Sequence, residues 1–147
     1  MKKILVAVDD KRHARKALDC VTELTRNNNT SVYLMHVIPD QKIPNGFIDF
    51  MKFEHIHDSP WVCYKRTLGK EVLSPVEEEL KEKGVKDVQS LVFYGNPART
   101  IVETATEIGV DTIVMVSRGL GALRRFFEGS VSTKVSHLAR CTCVTVK

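Results

Sequence analysis

Arg118, Gly119, Gly129 and Ser130 are the residues whose types and spacing can do chemistry in this chain, and that chemistry is the holding of an anion. A nine-residue gap separates the two glycines, and Gly129 runs straight into Ser130 and Val131, where a helical pattern of Val131, Val135, Leu138 and Ala139 begins. Glycine lets the main chain approach a ligand closely, and the free N–H groups of a helix N-terminus attract negative charge. Ser117 and Arg118 add a hydroxyl and a guanidinium beside the first glycine. Together they outline a phosphate site in two parts, Ser117 to Gly119 and Gly129 to Val131.

Established phosphate fingerprints do not match this loop. No Gly-Lys-Ser/Thr follows at the Walker A spacing, and Arg124 stands where the dinucleotide fingerprint that starts at Gly119-Leu-Gly121 needs its third glycine. Arg124 and Arg125 have two readings, contact with terminal phosphates or a solvated helix face. His55, His57, Asp58 and Cys63 offer imidazole, carboxylate and thiolate groups, but without the paired cysteines or helical histidine spacing of the common zinc sites, so no metal site is expected. His36 reads as an ordinary partly buried histidine. Cys141 and Cys143 share one face of a strand and read as small hydrophobes rather than a redox pair.

Positioning these residues requires strands that end where the chemistry is. Lys3 to Val8, Ser31 to Ile38, Lys86 to Tyr94, Asp111 to Val116 and Cys143 to Val146 are apolar runs rich in β-branched residues, the pattern of strands covered on both faces. Amphipathic stretches separate them. The first carries Ala14, Ala17, Leu18, Val21 and Leu24, and another carries Ile101, Val102, Ala105 and Ile108 before a stop at Gly109. Ser59-Pro60 opens a further helix towards Gly84, and Ser74-Pro75 predicts a kink or restart inside it. Phe47, Phe50, Met51 and Phe53 predict a short helix covering a sheet edge. Alternating strands and helices select an open, parallel, doubly wound α/β sheet, in which ligands bind beyond the strand C-termini where the strand order reverses. Asp9 and the loop after Val116 both stand at such ends.

Composition narrows the partners. The chain has 147 residues, 43% hydrophobic and 27% charged, which fits one domain over residues 1–147 with a core of its own. A net charge of +4 spread along the chain, without a recognition motif, does not point to nucleic acid. The apolar run after Met1-Lys-Lys is too short for a signal peptide or a membrane span, so a cytoplasmic protein with no membrane partner is expected. Lys11, Arg12 and His13 fill a first helical turn where acidic residues are usual, which reads either as surface charge or as an anion's neighbourhood.

Taken together, Lys3-Ile-Leu-Val-Ala-Val-Asp9, Leu34-Met-His-Val37, Gly95-Asn-Pro-Ala98, Gly109-Val-Asp-Thr-Ile-Val-Met115, Ser117-Arg-Gly119, Gly129-Ser-Val131 and the run from Cys141 to Val146 resemble the universal stress proteins. Only the variable segment 39–70 goes unmatched. The resemblance implies a five-stranded sheet of order 3-2-1-4-5, like that of the adenine nucleotide alpha hydrolases, and a homodimer paired through the last strand. For the ATP-binding branch it implies a motif of Gly, two residues, Gly, nine residues, Gly, then Ser or Thr. Gly119, Gly129 and Ser130 match that motif, whereas its first glycine is replaced by Val116. Lys11 replaces a small hydroxyl residue. By the same resemblance Asp9 accepts from ribose hydroxyls and the Val37 main chain meets adenine, with Val116, Ser117, Arg118, Gly119, Gly129, Ser130 and Val131 around the phosphates. The cofactor implied is ATP, or ADP or AMP, with or without Mg²⁺. The implied function is a stress-response sensor or interaction module with a protein partner. The alternatives are a nucleotide-free dimer of the same fold and a slow ATPase, for which no catalytic residue can be assigned.

Overall fold

The computed structural model describes residues 2–9, 11–26, 29–39, 43–116 and 131–146. Five strands, β1 (Lys2–Ala7), β2 (Thr30–Ile38), β3 (Asp87–Tyr94), β4 (Thr112–Val116) and β5 (Thr142–Val146), pair in parallel in the order β3-β2-β1-β4-β5. This is the expected 3-2-1-4-5 sheet. The described helices are α1 (Lys11–Thr25), α2 (Asn45–Phe53), α3 (Pro60–Leu68), α4 (Ser74–Glu82), α5 (Pro97–Ile108) and α6 (Val131–Leu138).

Each face of the sheet is sealed by its own apolar layer, which is why the strands read as unbroken apolar runs. Ile4, Val6 and Val8 turn towards Ala14, Ala17, Leu18 and Val21 of α1 and Leu73, Val76 and Leu80 around α4. Leu5, Met35, Ile113 and Met115 turn the other way, towards Ala98, Ile101 and Ala105 of α5 and Val135 of α6. The period-two alternation along β1 therefore feeds both layers, and Leu5 and Ile113 are wholly buried.

Local chemistry sets the ends of α5. The Asn96 side chain accepts from the Arg99 N–H at 3.1 Å and Pro97 takes the first helical position, so an orphan donor is satisfied and the missing proline N–H costs nothing. At the other end Gly109 adopts φ 75°, the left-handed conformation in which glycine carries no Cβ penalty.

The structure departs from the sequence expectations in four places. Ser59 precedes Pro60 as predicted but makes no side-chain cap hydrogen bond. The break near Ser74-Pro75 is a π-helical segment, Gly69–Leu73, in which the Ser74 N–H bonds to the Gly69 carbonyl; Ser74 itself is helical. Pro75 has no N–H for the Glu71 carbonyl and its ring crowds that position, so a wider preceding turn accommodates it without ending the helix. The third departure concerns α2. Met51 is buried and Phe47 packs edge-on against Tyr64, but Phe50 and Phe53 are 53% and 79% exposed. A short helix turns only one stripe inward, and positions 47 and 51 supply it. Leu24 and Leu138, both assigned to inward stripes by their spacing, are exposed at the last turns of α1 and α6.

Candidate functional site

Three of the predicted site residues stand at one edge of the sheet, on three neighbouring strands. Ala7 of β1 is in register with Met35 of β2 on one side and with Met115 of β4 on the other. Asp9, Val37 and Val116 follow those residues, so β1, β2 and β4 bring them to the same C-terminal edge of the sheet. Adjacent strands are about 4.8 Å apart, which sets the three within the span of one small ligand. β1 is also where the order reverses, since β2 lies to one side of it and β4 to the other. That reversal opens the crevice in which ligands of doubly wound sheets sit.

The groups at this edge differ in kind. Asp9 is exposed, immediately ahead of α1. Val37 is buried among Leu5, Met35, Ala98 and Met115, so its side chain is core and only its main chain can serve a ligand. Val116 is the last residue of β4, in register with Val146. Val131 is the first residue of α6 and packs partly buried against the second apolar layer. Helices that connect parallel strands run back across the sheet, so the N-termini of α1, α5 and α6 all lie at the strand C-terminal edge. Their N–H dipoles favour an anion there, and the first turn of α1 contains no acidic residue. Ser117, Arg118, Gly119, Gly129 and Ser130, together with Arg124 and Arg125, lie outside the described residues.

Main-chain ties fix the rest of the edge. The Val8 N–H donates to the Met35 carbonyl at 2.8 Å, and the Gly95 N–H donates to the Ile38 carbonyl at 3.0 Å. Gly95 takes φ 145°, and a Cβ there would meet Thr100 Oγ1 at 2.8 Å. The Gly95-Asn96-Pro97 turn therefore needs its glycine for both conformation and space.

Sequence reasoning missed two features of this end of the molecule. His36 is not a bystander, because its Nδ1 lies 2.7 Å from the Val8 carbonyl oxygen. A carbonyl can only accept, so Nδ1 carries a proton. The signal was the position of a donor side chain one residue before Val37. The second feature is an aromatic cluster at the end of β3. Trp61 stacks edge-on against Tyr94 with centroids 4.9 Å apart, the Tyr94 hydroxyl donates to the Trp61 carbonyl at 2.7 Å, and Lys65 lies 5.9 Å from the Phe93 and Tyr94 ring centres. Burial pushes the Tyr94 hydroxyl pKa up, so it remains a donor at neutral pH.

The other candidates assemble nothing comparable. Among the described residues, no three of the His, Cys, Asp and Glu side chains are grouped to hold a metal ion. His55, His57, Asp58 and Cys63 flank or line the α2–α3 region, where an open cavity of about 310 Å³ is bounded by Phe47, Met51, Ile56, Asp58, Cys63 and Arg66. It shares no residue with the strand edge. Cys141 and Cys143 are free thiols partly buried against the second layer, and burial raises both above the usual cysteine value. Among the described residues, no helix is long and apolar enough to cross a membrane.

Comparison with known proteins agrees with this architecture. The model of the universal stress protein family matches residues 1–147. The universal stress protein YxiE of Bacillus subtilis is 32% identical over 147 residues, covering 99% of this chain and 98% of its own. Among solved structures, hypothetical protein MJ0577 superposes with a TM-score of 0.71 at 27% identity, over 99% of this chain and 95% of its own. A universal stress protein of Archaeoglobus fulgidus, solved in complex with dAMP, superposes with a TM-score of 0.69 at 22% identity, over 100% and 98% of the two chains.

Proposed function

The chain belongs to the universal stress protein family, and we propose that it binds ATP, or the related nucleotides ADP or AMP, at the C-terminal edge of β1, β2 and β4. In this reading it serves as a stress-response sensor or interaction module. The observation that carries it is that β1, β2 and β4 bring Asp9, Val37 and Val116 to one edge at the point of strand-order reversal. Asp9 accepts from ribose hydroxyls, and the Val37 main chain meets the adenine edge. Ser117, Arg118 and Gly119 on one side, and Gly129, Ser130 and Val131 on the other, hold the phosphates, with Mg²⁺ accompanying ATP. The dAMP complex of the Archaeoglobus fulgidus protein supports an adenine nucleotide as the ligand class.

In the same reading the protein acts as a homodimer through β5. The sheet order leaves β5 at an edge, where its outer main-chain groups offer a ladder to a second copy.

Val116 favours a second reading, in which this chain belongs to a nucleotide-free branch and works by dimerisation and partner contact. A β-branched residue does not readily take φ > 0 and adds bulk where the motif has glycine. Hydrolysis would need a placed water and a base, and no general base is assigned.

Equilibrium dialysis with ATP and Mg²⁺ at millimolar concentration tests the choice. Saturable binding that disappears in Gly129→Val supports the nucleotide reading. Absence of saturable binding by the native chain sinks it in favour of the nucleotide-free dimer.

A further inference from the structure

The β1–β2 ladder stops in an unusual way. Its register runs from Lys2 opposite Thr30 to Ala7 opposite Met35. One further bond follows, from the Val8 N–H to the Met35 carbonyl. In a parallel ladder the residue that donates to one carbonyl next accepts from the N–H two residues further along its partner. The natural donor to the Val8 carbonyl is therefore the N–H of Val37. Instead the imidazole of His36 approaches that carbonyl, with Nδ1 at 2.7 Å. His36 carries a side-chain donor to the spot where the main chain of the next residue would otherwise bond.

From this we infer that His36 is a positioning residue for ligand binding. By donating to Val8, its Nδ1–H ends the β1–β2 ladder and leaves the Val37 N–H directed at the crevice, presented to a hydrogen-bond acceptor on the ligand's base. Three features of the structure support this. Main-chain groups of alternate residues face the same neighbour: Met35 faces β1, Ile38 faces β3 through its bond with Gly95, and Val37 is next in the series that faces β1. The Val37 side chain is buried in the core, which anchors its backbone. The same bond holds the last residue before Asp9, so one imidazole sets both the base-facing donor and the start of the Asp9 turn. The acceptor it suits is an unprotonated ring nitrogen of a purine. This inference rests on the adenine-nucleotide reading.

The test compares the native chain with His36→Leu and His36→Asn, the latter keeping a side-chain N–H near the position of Nδ1. In ligand-free protein, hydrogen exchange at the Val37 amide is expected to be fast in the native chain and in His36→Asn. In His36→Leu it is slowed, because the ladder closes onto Val8. A merely structural role would not protect that one amide. AMP affinity is expected to fall about tenfold in His36→Leu, the scale of one hydrogen bond, and to be largely restored in His36→Asn. A Val37 amide already protected in the native chain overturns the inference, and that measurement needs no variant to fold. Equal AMP affinity in all three proteins overturns it as well. If the native chain binds no AMP, ATP or ADP, the nucleotide reading fails, and the exchange comparison still decides whether His36 ends the ladder.

Discussion

Lys3 and Asp111 hold each other from both sides: the Asp111 carboxylate accepts from the Lys3 main-chain N–H at 2.8 Å, and the Asp111 N–H donates to the Lys3 carbonyl at 2.8 Å. The Lys3 ammonium then reaches the Ile108 carbonyl at the end of α5, at 3.0 Å. These bonds start β1 and β4 together, so Ile4 meets Thr112 and the two strands arrive in step at the crevice.

Removing the carboxylate tests that tie. Asp111→Ala is expected to lower stability by about 1–2 kcal/mol, the range of a charge-assisted hydrogen bond at a solvent-accessible site. Urea unfolding followed by circular dichroism measures it. The crevice lies at the opposite end of the strands, so nucleotide affinity of the folded variant should stay within about twofold of the native value.

Glu77 gives the molecule a pH-sensitive brace. Its carboxylate accepts from Lys81 and from Ser90 of β3, both at 2.8 Å, and the Lys81 bond, ahead of the Ser90 bond, holds its pKa below the ordinary glutamate value. A depressed folded-state pKa contributes stability that is present above the unfolded value of about 4.3 and is lost as pH falls through the lowered value. Glu77→Gln should therefore flatten the stability profile between about pH 5 and pH 3. The effect at neutral pH should be under about 1 kcal/mol, because the site is partly open to solvent. Denaturation midpoints across that pH range check it, and an unchanged acid limb would show that the brace contributes nothing.

Gly95 is needed for shape. At φ 145°, with Thr100 Oγ1 2.8 Å from the place of a Cβ, Gly95→Ala is expected to cost about 1–3 kcal/mol. Adding Thr100→Ala should recover the steric part and leave the conformational part. A double variant no more stable than Gly95→Ala would show that space was not limiting. Thermal melting of the three proteins separates the two.

In the proposed site, Val116 takes the place of the first glycine of the motif that the family resemblance implies. Val116→Gly is expected to tighten ATP binding about tenfold, or ~1.4 kcal/mol, by admitting the ligand to the main chain. It should cost roughly 1 kcal/mol of stability as a glycine in a strand. Titration calorimetry reads the affinity. Unchanged affinity would mean that the loop after β4 grips its ligand by other groups.

The sheet was legible because burial on both faces leaves a mark that survives without neighbours: Ile4 to Val8 and Thr112 to Val116 could be little else than covered parallel strands. The end of α5 was legible for a local reason, since Gly109 carries its left-handed conformation in its own chemistry. What the sequence hid depends on tertiary partners. The spacing of Phe50 and Phe53 fits an apolar stripe, but which stripe turns inward depends on Tyr64, which arrives from α3. The π-helical turn at Gly69–Leu73 could be read as a disturbance near Pro75 but not placed. His36 looked like any partly buried histidine, because its partner is a main-chain carbonyl far away in sequence. That Asp9, Val37 and Val116 share one edge of the sheet follows from strand ends and strand order, which the apolar runs and the family resemblance both carry.

The most direct measurement of the central claim is residue-resolved amide mapping by NMR during titration with ATP and Mg²⁺. Saturable shifts are expected to concentrate at Val8, Asp9, Val37, Ile38 and Val131, with the amides of α2 and α3 unmoved. Shifts that gather instead on α2 and α3, or a titration that never saturates at millimolar nucleotide, would contradict it.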